Sequence, residues 1–427
     1  MDGILNLIST FFGYINDLGV TVMLPLALFL MGLAFGVKPG TALVNGLKVG
    51  IGFFGLNILL YGTVASNIGP LASAIVARTG LPLAIPDVGV GLHFSITFAM
   101  TAAAFMIPLG LLVNIVMLFL GLTKTVNIDI WNFWPWMFSW ALVQGVTGSP
   151  ILGFVAFVFT GVISLLMGDR HAKQIQEAYN LPGITFPHPF SSFWGLLAEP
   201  FVYIFDRIPG LKDWDVDIES MQKRLGPLGD STVLGFIIGI VLALIAGYPV
   251  IQALQTGVIV AGILLLMPMM IKILVSGLFP ISEAARKILS QRFPGREFYI
   301  GLDCAVGVAQ PSAIVVGVLL IPITLILAAI LPGNNLLPLA DLAFLGFWVA
   351  TPMAQFKNNI VRGVIFGTFA MAVSLWMATS IAPLVTRLGI AAGASLPEGT
   401  NLMSMLTIYP WGWVTAFIAS LFGGGLA

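Results

Sequence analysis

Carboxylates and imidazoles stand in stretches of this chain that are otherwise apolar, and they are the side chains best able to do chemistry. Asp87 lies in Pro86-Asp87-Val88-Gly89-Val90-Gly91, and Asp303 in Gly301-Leu302-Asp303-Cys304-Ala305-Val306-Gly307. A charged group at the centre of a membrane helix costs about 2.5–3.5 kcal/mol on insertion scales, so a carboxylate kept at depth marks function by default. Pro and Gly interrupt the helical ladder, and irregular backbone at depth is tolerated where it lines a cavity. Both stretches therefore read as re-entrant hairpins. Each Asp has two roles open to it: ligand to a solute, or cap accepting backbone N–H groups. Asp129, in Asn127-Ile128-Asp129-Ile130-Trp131-Asn132, and Asp341, in Pro338-Leu339-Ala340-Asp341-Leu342, begin apolar runs, where a helix dipole also welcomes a carboxylate.

The histidines differ in setting. His93 follows the Asp87 turn, where an imidazole can donate to a hydroxyl. His188 is bracketed by Pro187 and Pro189 in an apolar stretch, which suits a structural donor or a ligand-binding group; the ligand role is the expectation. His171, beside Asp169, Arg170 and Lys173, reads as solvated. Gln144 and Gln310 add neutral amides that both donate and accept, as polyol hydroxyls require. There is no Gly-Lys-Ser/Thr phosphate loop, no Cys/His metal cluster and no nucleophile–base pair recognisable by spacing. No metal or cofactor is expected, and energy must come from an ion gradient or a partner protein.

The elements that must hold these residues are membrane spans. Hydrophobic residues fill 58 % of 427 positions and charged residues 8 %, and mean hydropathy is +1.03; a soluble domain carries about 25 % charged residues. The 18 acidic and 18 basic groups balance, which argues against a nucleic-acid partner. One cysteine, Cys304, excludes an intrachain disulfide, and in an apolar hairpin it is expected to be inert. Residues 1–16 lack a basic leader region and read as an interfacial helix. Apolar runs at 18–36, 42–64, 98–122, 131–146, 150–167, 231–247, 250–276, 311–331, 342–355 and 361–383 are span candidates, and 410–422 crosses or re-enters.

Those runs repeat. Thr21, Gly36, Ala42, Gly46 and Val49 return as Thr232, Gly247, Ala253, Gly257 and Val260, each 211 positions on. Asp87 is echoed by Asp303, Ile107-Pro108 by Ile321-Pro322 and Asp129 by Asp341, at offsets of 216, 214 and 212. Five spans per half invert the second half, and inverted repeats point to a transporter with its site near the midplane. The charged segments 168–230 and 271–303 then share one face with Lys38, Lys124, Lys357 and Arg362, and Lys48 lies close to it. Only Arg78 and Arg387 fall opposite. Positive residues stay inside, so that face is cytoplasmic and the N-terminus external. Between the halves, 196–207 mixes apolar and charged residues, and Trp214, Ile218, Met221 and Leu225 recur at helical spacing. Amphipathic surface helices are expected there, against the alternative of a plain linker.

Several local sequences resemble the membrane (IIC) subunit of the galactitol-type phosphotransferase system. They are Asn127-Ile128-Asp129-Ile130-Trp131-Asn132, Lys223-Arg224-Leu225-Gly226, Glu297-Phe298-Tyr299-Ile300-Gly301-Leu302-Asp303 and Leu331-Pro332-Gly333-Asn334, with 15–25, 321–325 and 337–343. The resemblance implies an all-α integral membrane homodimer of about 10–11 transmembrane helices in two inverted repeats with re-entrant hairpins. Residues 1–17 would be an interfacial segment. The first repeat would be 18–180, with scaffold spans at 18–64 and core at 80–167. A Pro-His hairpin and linker would fill 181–228, and the second repeat 229–427, with scaffold spans at 229–276 and core at 300–427. The scaffold would be V-shaped, and the core would carry the sugar site. Asp87, Asp129, Asn132, His188, Asp303 and Asp341 match family positions, whereas His93 and Gln144 do not. The tail also departs, since family members can carry another C-terminal span.

What the resemblance implies functionally is an EIIC permease of the bacterial cytoplasmic membrane. It would bind a sugar alcohol, carry it across by an elevator movement, and hand it to cytoplasmic EIIB, served by EIIA, for phosphorylation. The chain alone would catalyse nothing, being one component of a sugar phosphotransferase complex. The rival is an ion-coupled transporter whose aspartates bind H⁺ or Na⁺. A membrane scaffold without transport is disfavoured by the duplicated polar hairpins. The candidate substrate residues are Asp87, His93, Asp129, Asn132, Gln144, His188, Asp303, Gln310 and Asp341.

Overall fold

The computed structural model describes residues 19–59, 83–210, 230–292, 295–397 and 399–422, with isolated helical residues between 66 and 78. The expected interfacial segment and the Trp214–Leu225 periodicity lie outside the described residues. In chain order, α1 (Gly19–Ala34) and α2 (Pro39–Asn57) precede β1 (Ile85–Pro86), α3 (Gly91–Phe98) and α4 (Met106–Phe119). Next come β2 (Thr125–Asn127), α5 (Trp134–Thr147), α6 (Pro150–Tyr179), β3 (Ile184–Thr185) and α7 (Pro189–Phe205). The second half holds α8 (Ser231–Ile245), α9 (Val250–Arg292), β4 (Tyr299–Gly301), α10 (Ala305–Val308) and α11 (Pro311–Ile330). It ends with β5 (Leu336–Leu337), α12 (Gly346–Gln355), α13 (Ile360–Ala391) and α14 (Pro410–Ser420).

The protein is thus largely helical. Among the described residues, α6, α11 and α13 are long and apolar enough to cross a membrane. They leave Ile151, Val155, Ile326, Ile330, Phe369 and Trp376 exposed, an arrangement suited to lipid rather than water. Two expected spans come out differently. The run at 98–122 is divided, with α3 ending at Phe98 and a 3-10 turn at Thr101–Phe105 before α4 begins. The run at 342–355 yields only the 10-residue α12, about 15 Å long at 1.5 Å per residue, which is half a bilayer. Residues 340–344 are taken up by a 3-10 turn that positions Asp341.

Helix ends follow their sequence signals. Ser149 accepts from Leu152 N before Pro150 opens α6, and Asn359 accepts from Arg362 N before α13. Gly36 ends α1 at φ +71°, where no Cβ resists the left-handed turn, and Val37 N reaches back to Gly32 O at 2.8 Å. Gly247, 211 positions on, ends α8 at φ +82°, with Tyr248 N on Ala243 O at 2.9 Å.

Packing separates two groups of helices. The first comprises α1, α2, α8 and α9, with α1 on α2, α8 on α9 and α2 on α9. Glycines allow these close crossings. A Cβ on Gly46 would stand 2.6 Å from Pro25 O, and one on Gly257 would stand 2.8 Å from Phe236 O. Both 257 − 46 and 236 − 25 give 211, so the sequence repeat recurs as the same helix contact. The second group pairs α5 with α6 and α14, α7 with α12, and α11 with α13. Its interior is aromatic, with Trp134, Trp136, Trp194, Trp348, Phe133 and Phe138 fully buried.

Short parallel strands stitch this second group together. β1 pairs with β5, Ile85 opposite Leu336. β4 lies between β2 and β3, with Ile300 opposite both Val126 and Ile184. Each sheet therefore joins a strand from before residue 210 to one from after residue 230. Helices broken inside an apolar interior leave backbone groups without partners, and these ladders supply them. Parallel pairing also delivers the residues that follow each strand to the same end of the sheet.

Candidate functional site

The β1–β5 ladder leads into Asp87 and Asp341, both buried. Asp87 Oδ1 accepts from Gly89 N (2.9 Å) and Leu406 N (3.3 Å), and its Oδ2 accepts from Leu339 N (3.1 Å) and Asp341 N (3.0 Å). Asp341 Oδ1 accepts from Val90 N (2.9 Å), while its Oδ2 takes Thr407 N (2.8 Å) and Thr407 Oγ1 (2.6 Å). Every carboxylate oxygen here is engaged, and six of the seven donors are backbone N–H groups. The pair works as a clamp between hairpins of the two halves.

The β2–β4–β3 sheet does the same for Asp129, Asp303 and His188, with a different outcome. Asp129 is engaged at both oxygens, by Trp131 N (3.0 Å) and Asp303 N (3.1 Å). Asp303 Oδ1 accepts from Ala305 N at 2.6 Å, but among the described residues its buried Oδ2 has no hydrogen-bond partner. That oxygen stands 3.6 Å from His188 Nε2. His188 Nδ1 is 3.3 Å from Cys304 Sγ, and Nε2 is 3.4 Å from Tyr409 Oη. His188 immediately precedes Pro189 at the start of α7, and Tyr409 immediately precedes Pro410 at the start of α14. The two helix starts thus present their leading rings to each other.

His93 on α3 closes the group. It is fully buried and neither ring nitrogen has a partner. Phe138 and Tyr409 pack on it edge-on at 4.2 and 5.0 Å, and Trp134 lies tilted at 5.7 Å between centroids. Trp134 Nε1 is also without a partner. Asn132 Nδ2 donates to Asn127 Oδ1 at 2.9 Å, leaving Asn132 Oδ1 and Asn127 Nδ2 unpaired. A buried polar atom left unsatisfied costs about 1–3 kcal/mol. Both His93 nitrogens and Trp134 Nε1 lie within one aromatic group, where a solute that brings its own hydroxyls would satisfy them.

Other expected residues lie elsewhere. Gln144 is half-buried one turn along α5 from Trp140, whose Nε1 donates to its Oε1 at 2.9 Å. Gln310 caps the start of α11 through its carbonyl, which accepts from Ile314 N at 3.1 Å. Neither side chain bonds to the His93–His188–Asp303 group. His171 needs correcting: it is 2 % exposed, not solvated, and its Nε2 is 3.1 Å from Glu199 Oε1. Arg170 grips the same carboxylate, and the ring packs against Gly195, so α6 and α7 approach too closely to leave it in water. At the far end of β3 and β4 a cavity of about 800 Å³ opens, lined by Gly183, Lys287, Arg296 and Tyr299. Lys124 nearby donates to Glu297 at 3.0 Å, and that bond holds its ammonium pKa above the ordinary lysine value.

Sequence reasoning passed over Trp134 and Asn127 as candidate site residues, weakly matched the Tyr409-Pro410-Trp411 stretch to the His188 stretch without naming Tyr409 as a candidate, and set Cys304 aside. The X-Pro start shared by His188 and Tyr409, 221 positions apart, was the signal for the tyrosine.

The family described as "PTS system sugar-specific permease component" (EIIC-GAT) matches residues 14–399. Similar proteins include the "PTS system galactitol-specific EIIC component" of Escherichia coli (strain K12), 37 % identical over 392 residues, which are 92 % of this chain and 86 % of the relative. The protein of the same description from Escherichia coli O157:H7 matches to the same extent.

Proposed function

Since this chain belongs to the EIIC-GAT family of sugar-specific permease components of the phosphotransferase system, we propose that it carries a sugar alcohol of the galactitol type across the bacterial inner membrane. The observation that carries this reading is the open Asp303 Oδ2 beside His188 Nε2, buried where strands of both halves meet. A polyol hydroxyl donates once and accepts twice, so it can satisfy a carboxylate oxygen and an imidazole together. Asp303 would accept from the solute. His188, His93 and Trp134 Nε1 would donate to it, with Asn132 Oδ1 as a further acceptor. The faces of Tyr409 and Trp134 would cover its C–H groups. In this assignment Asp87 and Asp341 hold the hairpins together, Asp129 orients the Asp303 backbone, and Gln144 and Gln310 are peripheral.

The rest of the proposal concerns movement. Recurrence of the Gly46 and Gly257 contacts, and the crossed pairing of the sheets, support an inverted repeat. The α1–α2–α8–α9 group makes few contacts with the helices that hold the site. A site carried wholly inside one body suits an elevator, with the first group as the scaffold of a homodimer in lipid. The N-terminus lies outside. Cytoplasmic EIIB, recharged by EIIA, phosphorylates the delivered polyol; nothing in the present site performs that transfer.

Calorimetric titration of the purified protein with galactitol tests the binding step. Removing a hydrogen bond to a charged group costs about 1.5–3 kcal/mol, which is a ten- to hundredfold loss of affinity. His188→Ala is expected to show that loss while remaining folded. Unchanged affinity would remove His188 from the site.

A further inference from the structure

Cys304 sits beside Asp303 in sequence, is fully buried, and places Sγ 3.3 Å from His188 Nδ1. The adjacent residues Asp303 and Cys304 thus face the two nitrogens of one imidazole, at Nε2 and Nδ1 respectively. A neutral imidazole carries its proton on one nitrogen only, and the partners decide which. At Nε2 the neighbours are the Asp303 carboxylate oxygen, which can only accept, and Tyr409 Oη. A lone pair there would oppose the carboxylate, so the proton belongs on Nε2. Nδ1 is then an acceptor in a buried setting and needs a donor. The thiol S–H, 3.3 Å away, is the donor in reach, with the neighbouring Asp303 carboxylate as a second acceptor for the same proton. Ser191, on the same turn, turns its hydroxyl to His188 O at 3.4 Å.

We infer that Cys304 is a positioning residue, its thiol holding His188 in the Nε2–H tautomer that faces Asp303 and the bound polyol. The inference rests on the polyol-site reading for its functional consequence, though not for the tautomer itself. Without the S–H donor, Nδ1 has no partner among the described residues, the ring is free to redistribute its proton, and a share of the protein presents a bare Nε2 to the carboxylate. Serine keeps a hydroxyl donor at the same place, whereas alanine removes it.

The test is nitrogen-15 magnetic resonance of histidine-labelled protein in lipid, alongside galactitol titration, for wild type, Cys304→Ser, Cys304→Ala and His188→Ala. The chain has three histidines, so the His188→Ala spectrum identifies the His188 signals by subtraction. Wild type and Cys304→Ser are expected to show His188 protonated on Nε2 and to bind within about threefold of each other. Cys304→Ala is expected to show both tautomers, with affinity lowered about tenfold and a melting temperature within a few degrees of wild type. A wild-type His188 protonated mainly on Nδ1, or a Cys304→Ala spectrum unchanged from wild type, overturns the inference. If His188→Ala binds galactitol as wild type does, the polyol-site reading fails instead, and the spectra still decide what the thiol does.

Discussion

Replacing Asp87 and Asp303 with asparagine should separate clamp from ligand, because the two carboxylates differ in what they hold. Asp87 accepts four backbone N–H groups, two on each oxygen, at 2.9–3.3 Å. An amide keeps one oxygen and turns an NH₂ toward the other two donors. Each buried donor left unsatisfied costs about 1–3 kcal/mol, so Asp87→Asn should lose about 2–6 kcal/mol, a large part of a typical total near 5–15 kcal/mol. Asp303 accepts one backbone N–H, on Oδ1, and Oδ2 has no hydrogen-bond partner. The asparagine amide can take the Oδ2 position without orphaning any backbone donor, so its stability loss should be smaller than that of Asp87→Asn. Its effect should appear in binding, as a ten- to hundredfold weaker galactitol affinity. Thermal unfolding followed by the fluorescence of the ten tryptophans reads the first quantity, and calorimetric titration the second. An Asp87→Asn protein that melts with wild type, or an Asp303→Asn protein that binds with wild-type affinity, would refute this division of labour.

Further outcomes follow from the same structure. Gly46→Ala and Gly257→Ala each drive a Cβ to within 2.8 Å or less of a neighbouring carbonyl, so both should lower the melting temperature, each by the equivalent of about 1–3 kcal/mol; a loss at only one of them would break the equivalence of the halves. His171→Ala should leave galactitol affinity within about twofold yet destabilise the protein, since it strips a buried ring from Glu199; weaker binding at full stability would contradict this. Single cysteines at Lys173 and Arg387 should react differently with an impermeant thiol reagent on intact cells, with Arg387→Cys labelled and Lys173→Cys protected; the reverse pattern would invert the orientation.

The sequence carried the fold wherever pattern and period agreed. Helix starts at Pro150 and Pro311, and ends at Gly36 and Gly247, were legible because proline and glycine fix backbone geometry locally, whereas the run expected from 42 starts at Pro39. Breaks at 98–105 and 340–344 were not, since hydropathy alone cannot distinguish a continuous apolar helix from two short ones joined by a 3-10 turn. The strand pairings were also hidden: ladders of two or three residues leave no alternation to read, and their partners lie more than a hundred residues apart. For the site, residue type pointed at the four aspartates together. Only the hydrogen-bond inventory shows Asp87 and Asp341 fully engaged and Asp303 with an open oxygen. His171 misled because charged neighbours in sequence do not reveal a helix packed across the ring.

Coupling of transport to phosphorylation is the central claim, and uptake of radiolabelled galactitol into membrane vesicles measures it most directly. Vesicles holding this protein would be assayed with phosphorylated EIIB, with EIIB that cannot be phosphorylated, and with an uncoupler added. The account predicts concentrative uptake only with phosphorylated EIIB, recovery of the label as a polyol phosphate, and insensitivity to the uncoupler. Accumulation of free galactitol driven by an ion gradient without EIIB would contradict it and would assign the membrane carboxylates to ion coupling.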